Sequence, residues 1–408
     1  MTNKEQTKNK TESSETKSTV DIFEESLIMH KNLKGKLRVR SKLEINSRHD
    51  LALAYTPGVA RICETIAQDP ASVYDLTIKN NTVAVVTDGS AVLGLGNIGP
   101  EAALPVMEGK CMLFREYAKI DAFPICLTTQ DTQAIIETVR RIAPVFGGIN
   151  LEDIAAPRCF EIEAALQDLG IPVFHDDQHG TSITLLAALM NAAKLTGKRL
   201  SDLTVAINGA GAAGTAIAEL LLGHGYPDTE PVKQVFICDR TGILSPDRPD
   251  ISTLPAKQSL AALTNPGCKN GSLADALVNA DVFVGVSSAN CVTQAMVRSM
   301  NPDPFIFAMA NPIPEIMPDE AKAAGASVVG TGRSDFNNQI NNVLIFPGIF
   351  RGAINARSAT ITPKMKIAAA KALAESVRDI TPEAVIPSVL DKDVSYQVAK
   401  AVEAAADL

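Results

Sequence analysis

From residue 82 the chain alternates short β-rich apolar runs with segments of helical period. TVAVVTDG (82–89) closes on Asp88 and Gly89, and PEAALPVMEGKCMLFREYAKI follows with helical spacing. DAFPICL (121–127) is a second run, and DTQAIIETVRRIAP a helix with Asp131 placed to cap it. FGGIN (146–150) and IPVFHDD (171–177) are the third and fourth runs. Between them PRCFEIEAALQDLG is a helix with Pro157 in its first turn. This alternation predicts a parallel sheet with helices on both faces. Ligands of such sheets bind beyond the carboxyl ends of the strands. Asp88, the Glu152–Asp153 pair and the Asp176–Asp177 pair all fall there, and Asp176 to Gln178 are expected on a strand end, not on a helix.

TSITLLAALMNAAKLTG (181–197) reads as a long helix leading out of this sheet. A second α/β unit follows. LTVAIN, QVFICDR, ADVFVGVSS, PFIFAMANP and ASVVGTG are its strands, and 246–272 is a connecting excursion rich in Pro, Ser, Thr and Asn. Two further helices, ITPKMKIAAAKALAESV and SYQVAKAVEAAADL, are expected to pack back on the first domain or across a subunit interface. Before residue 82 a helix is expected to start near Ser18 or Thr19, with Ile22, Phe23, Leu27 and Ile28 at helical spacing. Tyr55 then precedes a Thr56-Pro57-Gly58 turn and a helix through Ile66. The predicted organisation is a disordered polar tail over 1–20, an α/β domain over 21–195, a dinucleotide-binding domain over 196–345, and C-terminal helices over 346–408.

Length and composition narrow the classes. The chain has 408 residues, enough for two domains with real cores, and a net charge of −8. No basic patch stands out beyond the tail, which argues against a nucleic-acid partner. Charged or Gly/Pro residues interrupt every apolar run well before the ~18 residues a membrane helix needs. The tail lacks the apolar core of a secretory signal. Seven scattered cysteines without a CxxC spacing read as reduced thiols of a cytoplasmic protein.

Two motifs carry chemistry. Gly209-Ala210-Gly211-Ala212-Ala213-Gly214 fits GxGxxG between a β-rich run and an apolar helix, the context in which the motif binds a dinucleotide. Gly209 serves the tight turn, Gly211 the approach of the pyrophosphate, and Gly214 the helix–strand contact, with Ala212 and Ala213 opening the helix. Asp239 closes the next strand, where a carboxylate accepts from a ribose 2′-hydroxyl. Arg240 beside it could instead meet a 2′-phosphate, so NAD is favoured and NADP stays open. The second motif is acidic. Four carboxylates at one sheet edge repel unless a cation or a lysine neutralises them. All-oxygen ligation suits Mg²⁺ or Mn²⁺ better than zinc. His175 and His179 flank the second pair and read as supporting residues. Lys110 would be functional only if buried near the acids.

Over about residues 25–408 these stretches resemble the malic enzyme family, in its short bacterial branch. DLALAYTPGVA, VAVVTDGSAVLGLGNIGPEAALPVMEGK, FGGINLEDIAAPRCFEIE, IPVFHDDQHGT, the GAGAAG loop, MANP and NNVLIFPGIFRGA carry the resemblance in order. It implies Glu152, Asp153 and Asp177 as metal ligands, Lys110 as general base, Asp176 as the acid that holds it, and Tyr55 as general acid. It also implies Asn311, Asn341 and Asn342 near substrate and nicotinamide. One departure stands out: larger members carry an arginine shortly after TDG for the substrate carboxylate, and TDGSAVLGLG has none.

The implied reaction takes L-malate through oxaloacetate to pyruvate and CO₂ with reduction of NAD or NADP, in a homodimer in which Tyr55 or Lys110 could cross to the partner's site. Lys110 must be neutral to act as base, which calls for a depressed pKa. Rival readings are a soluble oxaloacetate decarboxylase, a malolactic enzyme, disfavoured because those enzymes resemble the longer branch, and a non-catalytic dinucleotide sensor.

Overall fold

The structure is a computed structural model and describes residues 22–92 and 94–406. The expected start of the first helix at Ser18 or Thr19 and the polar tail lie outside the described residues. The chain divides into two compact units at Arg38 and Val39. In the first, helix α1 (Ile22–Leu33) places Glu24 and Glu25 in its first turn and His30 and Lys31 in its last, each complementing the helix dipole.

The second unit opens with α2 (Arg48–Ala54), α3 (Val59–Gln68) and α4 (Val73–Leu76), none of which buries a residue. A parallel sheet follows. Strand β1 (Thr82–Thr87) leads through α5 (Pro100–Ala118) to β2 (Asp121–Cys126), and then through α6 (Thr132–Ile142) to β3 (Gly148–Leu151). Helix α7 (Arg158–Ala165) and β4 (Val173–His175) complete it, in the order β2-β1-β3-β4. Every residue of β1 is buried, as expected of a strand covered on both faces. Asp131 caps α6 as expected, its carboxylate accepting from Ala134 N. Pro157 sits one position earlier than expected, at the N-cap of α7.

Helix α8 (Asp176–Thr196) starts directly at the end of β4. The expectation that Asp176–Gln178 lie on a strand end is therefore corrected: they form the first turn of this helix. The apolar run of β4 is only three residues long, and the amide groups after it continue into helix instead of ladder.

The second sheet runs β10-β9-β8-β5-β6-β7. Its elements are β5 (Thr204–Asn208), α9 (Ala212–Leu221), β6 (Gln234–Asp239), β7 (Gly242–Ile243), α10 (Pro255–Thr264), α11 (Leu273–Leu277), β8 (Val282–Gly285), α12 (Gln294–Arg298), β9 (Phe305–Ala308), α13 (Pro318–Ala323) and β10 (Val328–Thr331). The excursion at 246–272 thus holds a helix, α10. All pairings are parallel except β6 with the two-residue β7. The chain leaves β5 for β6 on one side and returns to β8 on the other, so a crevice opens at the carboxyl ends of β5 and β8.

A single apolar cluster joins Val83 and Val85 of β1, Ile183 to Leu189 of α8, and Val205 and Ile207 of β5. The C-terminal helices α14 (Phe346–Asn355), α15 (Pro363–Glu375) and α16 (Asp393–Ala405) pack on this core. Phe346 and Phe350 meet Phe114 of α5 edge-on, with ring centroids 4.8 and 5.4 Å apart. Asn191 of α8 donates to the carbonyls of Ala374 and Val385 at 2.9 and 3.0 Å.

Candidate active site

The acidic pairs meet where β3 and β4 end. Glu152, Asp153 and Asp177 each present a carboxylate oxygen within 4.8 Å of the others. Asp153 N donates to Asp177 Oδ2 at 2.8 Å, tying the two strand ends together. Asp153 adopts a left-handed backbone with φ 53°, a conformation uncommon for a residue with a side chain though less so for Asp. Its Oδ2 is buried and has no hydrogen-bond partner among the described residues. Burial pushes the carboxyls of Glu152, Asp153, Asp176 and Asp177 above their ordinary range; the neighbouring carboxylates add to this and Lys110 opposes it. An orphaned oxygen and three converging hard donors fit Mg²⁺ or Mn²⁺, whose bonds to oxygen are ~2.1 Å for the smaller ion.

Lys110, midway along α5, is buried in this cluster. Its ammonium pairs with Asp176, lies 3.0 Å from Glu152 Oε1 and sits over the Phe346 ring at 4.3 Å. Asn150 holds the other Glu152 oxygen at 2.8 Å. Burial opposes the lysine's charge, but Asp176, Glu152 and Asp177 outweigh it and raise the ammonium above its ordinary range. The expected depression is thus reversed, because the neighbours are anions and not cations. The Asp176–Lys110 pair leaves Asp176 Oδ1 buried and without a partner. A Cβ on Gly180, one turn along α8, would strike that oxygen and Asn342 Cβ, so only glycine fits there.

The histidines do not converge on the acids. His175 Nε2 lies 3.9 Å from Asp177 Oδ2, whereas His179 Nε2 lies 3.0 Å from Glu163 Oε2. Asn342 abuts Gly180 beside Asp176. Asn341 is adjacent, but its side-chain oxygen accepts from Val343 N and caps a short 3-10 turn. Asn311 faces Gly332 and the turn at Gly94. Asp88 is fully buried and takes Arg158 Nη2 at 2.8 Å, and Arg158 also reaches Ser90 Oγ at 2.9 Å. Arg158, Asn150 and Glu163 were not singled out from sequence, since a lone polar residue in a helix or strand carries no spacing signal. Tyr55 is not brought to this cluster. It is 66% exposed, and its hydroxyl has no hydrogen bond among the described residues.

The Gly-rich loop lies at the crevice of the second sheet. Gly209 has φ 126°, and a Cβ there would meet Val286 O at 2.8 Å. A Cβ on Gly214 would strike Gly209 O, so helix and strand touch as the motif requires. Nothing lies within 4 Å of a Cβ position on Gly211, which leaves room for a pyrophosphate at the start of α9. Ala212 and Ala213 form the first turn of that helix. The crevice has a volume of about 850 Å³ and is lined by Gly209, Gly211, Asp239, Arg240, Lys257 and Ser287. Asp239 is held by Arg248 Nη1 at 3.0 Å and Lys257 Nζ at 2.6 Å. Burial opposes its charge, yet these bonds keep its carboxyl below the usual range.

Fold and site together define a class: a two-sheet α/β protein with a dinucleotide crevice and, beside a buried lysine, three converging carboxylates that could hold a divalent cation. Comparison with known proteins narrows this to a family. Residues 34–134 match the malic enzyme N-terminal domain and residues 178–407 the malic enzyme NAD binding domain. A bifunctional malic/malolactic enzyme of Bacillus subtilis is 56% identical over 95% of this chain and 93% of its own length. An NAD-dependent malic enzyme of Geobacillus stearothermophilus is 52% identical over 95% of this chain and 79% of its own. The crystal structure of an NAD-dependent malic enzyme from Thermotoga maritima superposes with a TM-score of 0.88, at 48% identity over 93% of this chain and 98% of that one. The chain belongs to the malic enzyme family.

Proposed function

We propose that this protein oxidises L-malate with NAD and releases pyruvate and CO₂, with a divalent cation held by Glu152, Asp153 and Asp177. The observation that carries the reading is the buried Lys110, paired with Asp176 and Glu152 beside the converging carboxylates. A bound divalent cation supplies Lewis-acid polarisation of the substrate oxygen and cancels the negative charge that keeps Lys110 protonated, and NAD supplies the hydride acceptor. Lys110, freed of that charge, takes the proton of the malate 2-hydroxyl. Asp176 fixes the Lys110 amino group so that it faces the substrate and not solvent. Asn311 and Asn342 orient substrate and nicotinamide. The NAD reading rests on Asp239 and on the names of two of the relatives above. Residues 21–195 supply the cation and proton-transfer groups, 196–345 the dinucleotide crevice, and 346–408 the helices that support both.

Tyr55 serves as general acid for a second copy of the chain, giving the carbon vacated by CO₂ its proton. Its surroundings support a homodimer: Val39, Leu43, Ile45, Leu51, Leu53 and Tyr55 are all exposed, an apolar strip that association would cover. Malate, oxaloacetate and pyruvate are the small-molecule partners. Among the described residues no helix is long and apolar enough to cross a membrane, in keeping with a cytoplasmic placement.

A second reading is malolactic turnover, malate to lactate with NAD retained. The expectation against it rested on the length of such enzymes, and the Bacillus relative with that activity in its name is matched over 93% of its length. One assay separates the readings. With malate, Mn²⁺ and NAD, malic enzyme activity gives rising absorbance at the NADH band and pyruvate in equal amount. Lactate without net NADH supports the malolactic reading. CO₂ from oxaloacetate, with neither product from malate, overturns both.

A further inference from the structure

Glu163 lies on α7, in the CFEIE run, and its side chain is buried. One oxygen accepts from His175 N at 3.0 Å. The other accepts from Gln178 Nε2 at 3.2 Å and lies 3.0 Å from His179 Nε2. These partners bracket Asp176 and Asp177 along the chain. The other ties at the junction, Asp153 N to Asp177 and Lys110 to Asp176, are made by the site's own acids, and His175, the N-cap of α8, makes no side-chain cap bond. Burial opposes the charge on Glu163, yet His179, with Lys366 and His175 adding to it, holds its carboxyl below the ordinary range. The first turn of α8 is therefore anchored from outside by one carboxylate on a neighbouring helix.

We infer that Glu163 is a positioning residue. It holds the β4–α8 junction so that Asp177 completes the cation site with Glu152 and Asp153 while Asp176 reaches Lys110. The inference rests on the cation reading of that cluster. Glu163 touches none of the three carboxylates and on its far side lines a cavity of about 560 Å³ shared with Glu219 and Lys366. It can be changed without altering a ligand.

The test is Mn²⁺ binding by the full chain after chelation, read from the free-ion paramagnetic signal, for the parent and for Glu163→Gln, which keeps the side-chain volume. Direct partners of metal ligands are worth about 10–100-fold in affinity, and Glu163 acts one residue further out, so the variant should bind Mn²⁺ weaker by about tenfold, the lower end of that range. Its NAD affinity should be unchanged, and its kcat should recover at saturating Mn²⁺ while the KM for Mn²⁺ stays raised. Unchanged Mn²⁺ affinity overturns the inference, even with a lowered melting temperature, since that pattern marks a merely structural role. If Glu163→Gln does not fold, Gln178→Met removes one donor and leaves the carboxylate. A several-fold loss of Mn²⁺ affinity then supports the inference, and none overturns it. A parent that binds no Mn²⁺ sinks the cation reading and this inference with it, whereas a binding parent with an unaffected variant sinks only the positioning role.

Discussion

At the scale of single residues, the site is a balance of charge in a buried volume. Lys110 is buried in direct contact with Asp176 and Glu152. Replacing it by alanine removes the one cation that, among the described residues, contacts these acids. Malate oxidation should fall by about 10²–10⁴-fold, the usual value of a proton-transfer group. NAD affinity, set in the other sheet, should be unchanged, and wild-type-like turnover would remove Lys110 from the role. Asp239→Ala should weaken NAD by about tenfold, as loss of a charged hydrogen-bond acceptor does, and narrow the preference against NADP, which titration with each cofactor reads. The pH dependence of this group has a definite sign. Because its folded pKa is lowered, Asp239 stabilises the fold above its unfolded value near ~3.9, and that contribution is lost as pH falls through the lowered folded value. NAD binding without a divalent cation should accordingly be flat from neutral pH down to about 5, and a loss within that range would contradict the pairing with Arg248 and Lys257.

At the scale of elements, helix α14 joins the C-terminal helices to the first sheet. Phe350 is fully buried, stands edge-on to Phe114 and Phe174, and closes over Gly148 of β3. Phe350→Ala should cost about 3–5 kcal/mol, measured by denaturant unfolding, because the cavity left between α5, β3 and β4 cannot collapse around three rigid elements. A cost near zero would mean that α14 is not seated on the sheet. The strands and most helices were legible in sequence, since β1 and β3 are covered on both faces and read as apolar runs. The start of α8 was not. DDQ follows an apolar run, and only packing against Glu163 reveals that its amides turn into helix. The helix α10 was hidden for a similar reason, its Pro- and Ser-rich surroundings masking a short apolar face.

At the scale of the whole molecule, the site's geometry bears on two properties, cation binding and association. An ion that binds only the folded chain stabilises it by mass action, about 2.7 kcal/mol at a hundred times its dissociation constant. Mn²⁺ should therefore raise the melting temperature of the chelated protein, and Asp177→Ala should abolish most of that rise. If Tyr55 acts in the partner's site, Tyr55→Phe and Lys110→Ala are each inactive alone. Mixed and re-associated, they should recover up to about one quarter of the parent activity, because half of a random two-fold-symmetric population then holds one intact site. No recovery, from a protein that is dimeric and exchanges subunits, would place Tyr55 in its own chain's site.

The sequence by itself determined the two α/β units, the Gly-rich crevice with Asp239 at its edge, and the four acids at one sheet edge, because period, turn residues and repulsion are local properties. Tertiary structure alone decided the rest. It brought Asp176 against Lys110 and oxygens of Glu152, Asp153 and Asp177 within 4.8 Å of one another, contacts that no local pattern shows. It reversed the expected shift of Lys110, added Glu163 and Arg158 to the site's surroundings, and left Tyr55 facing outward. Each of these depends on which distant segments share a buried volume, where burial and neighbouring charge, and not residue type, set what a side chain does.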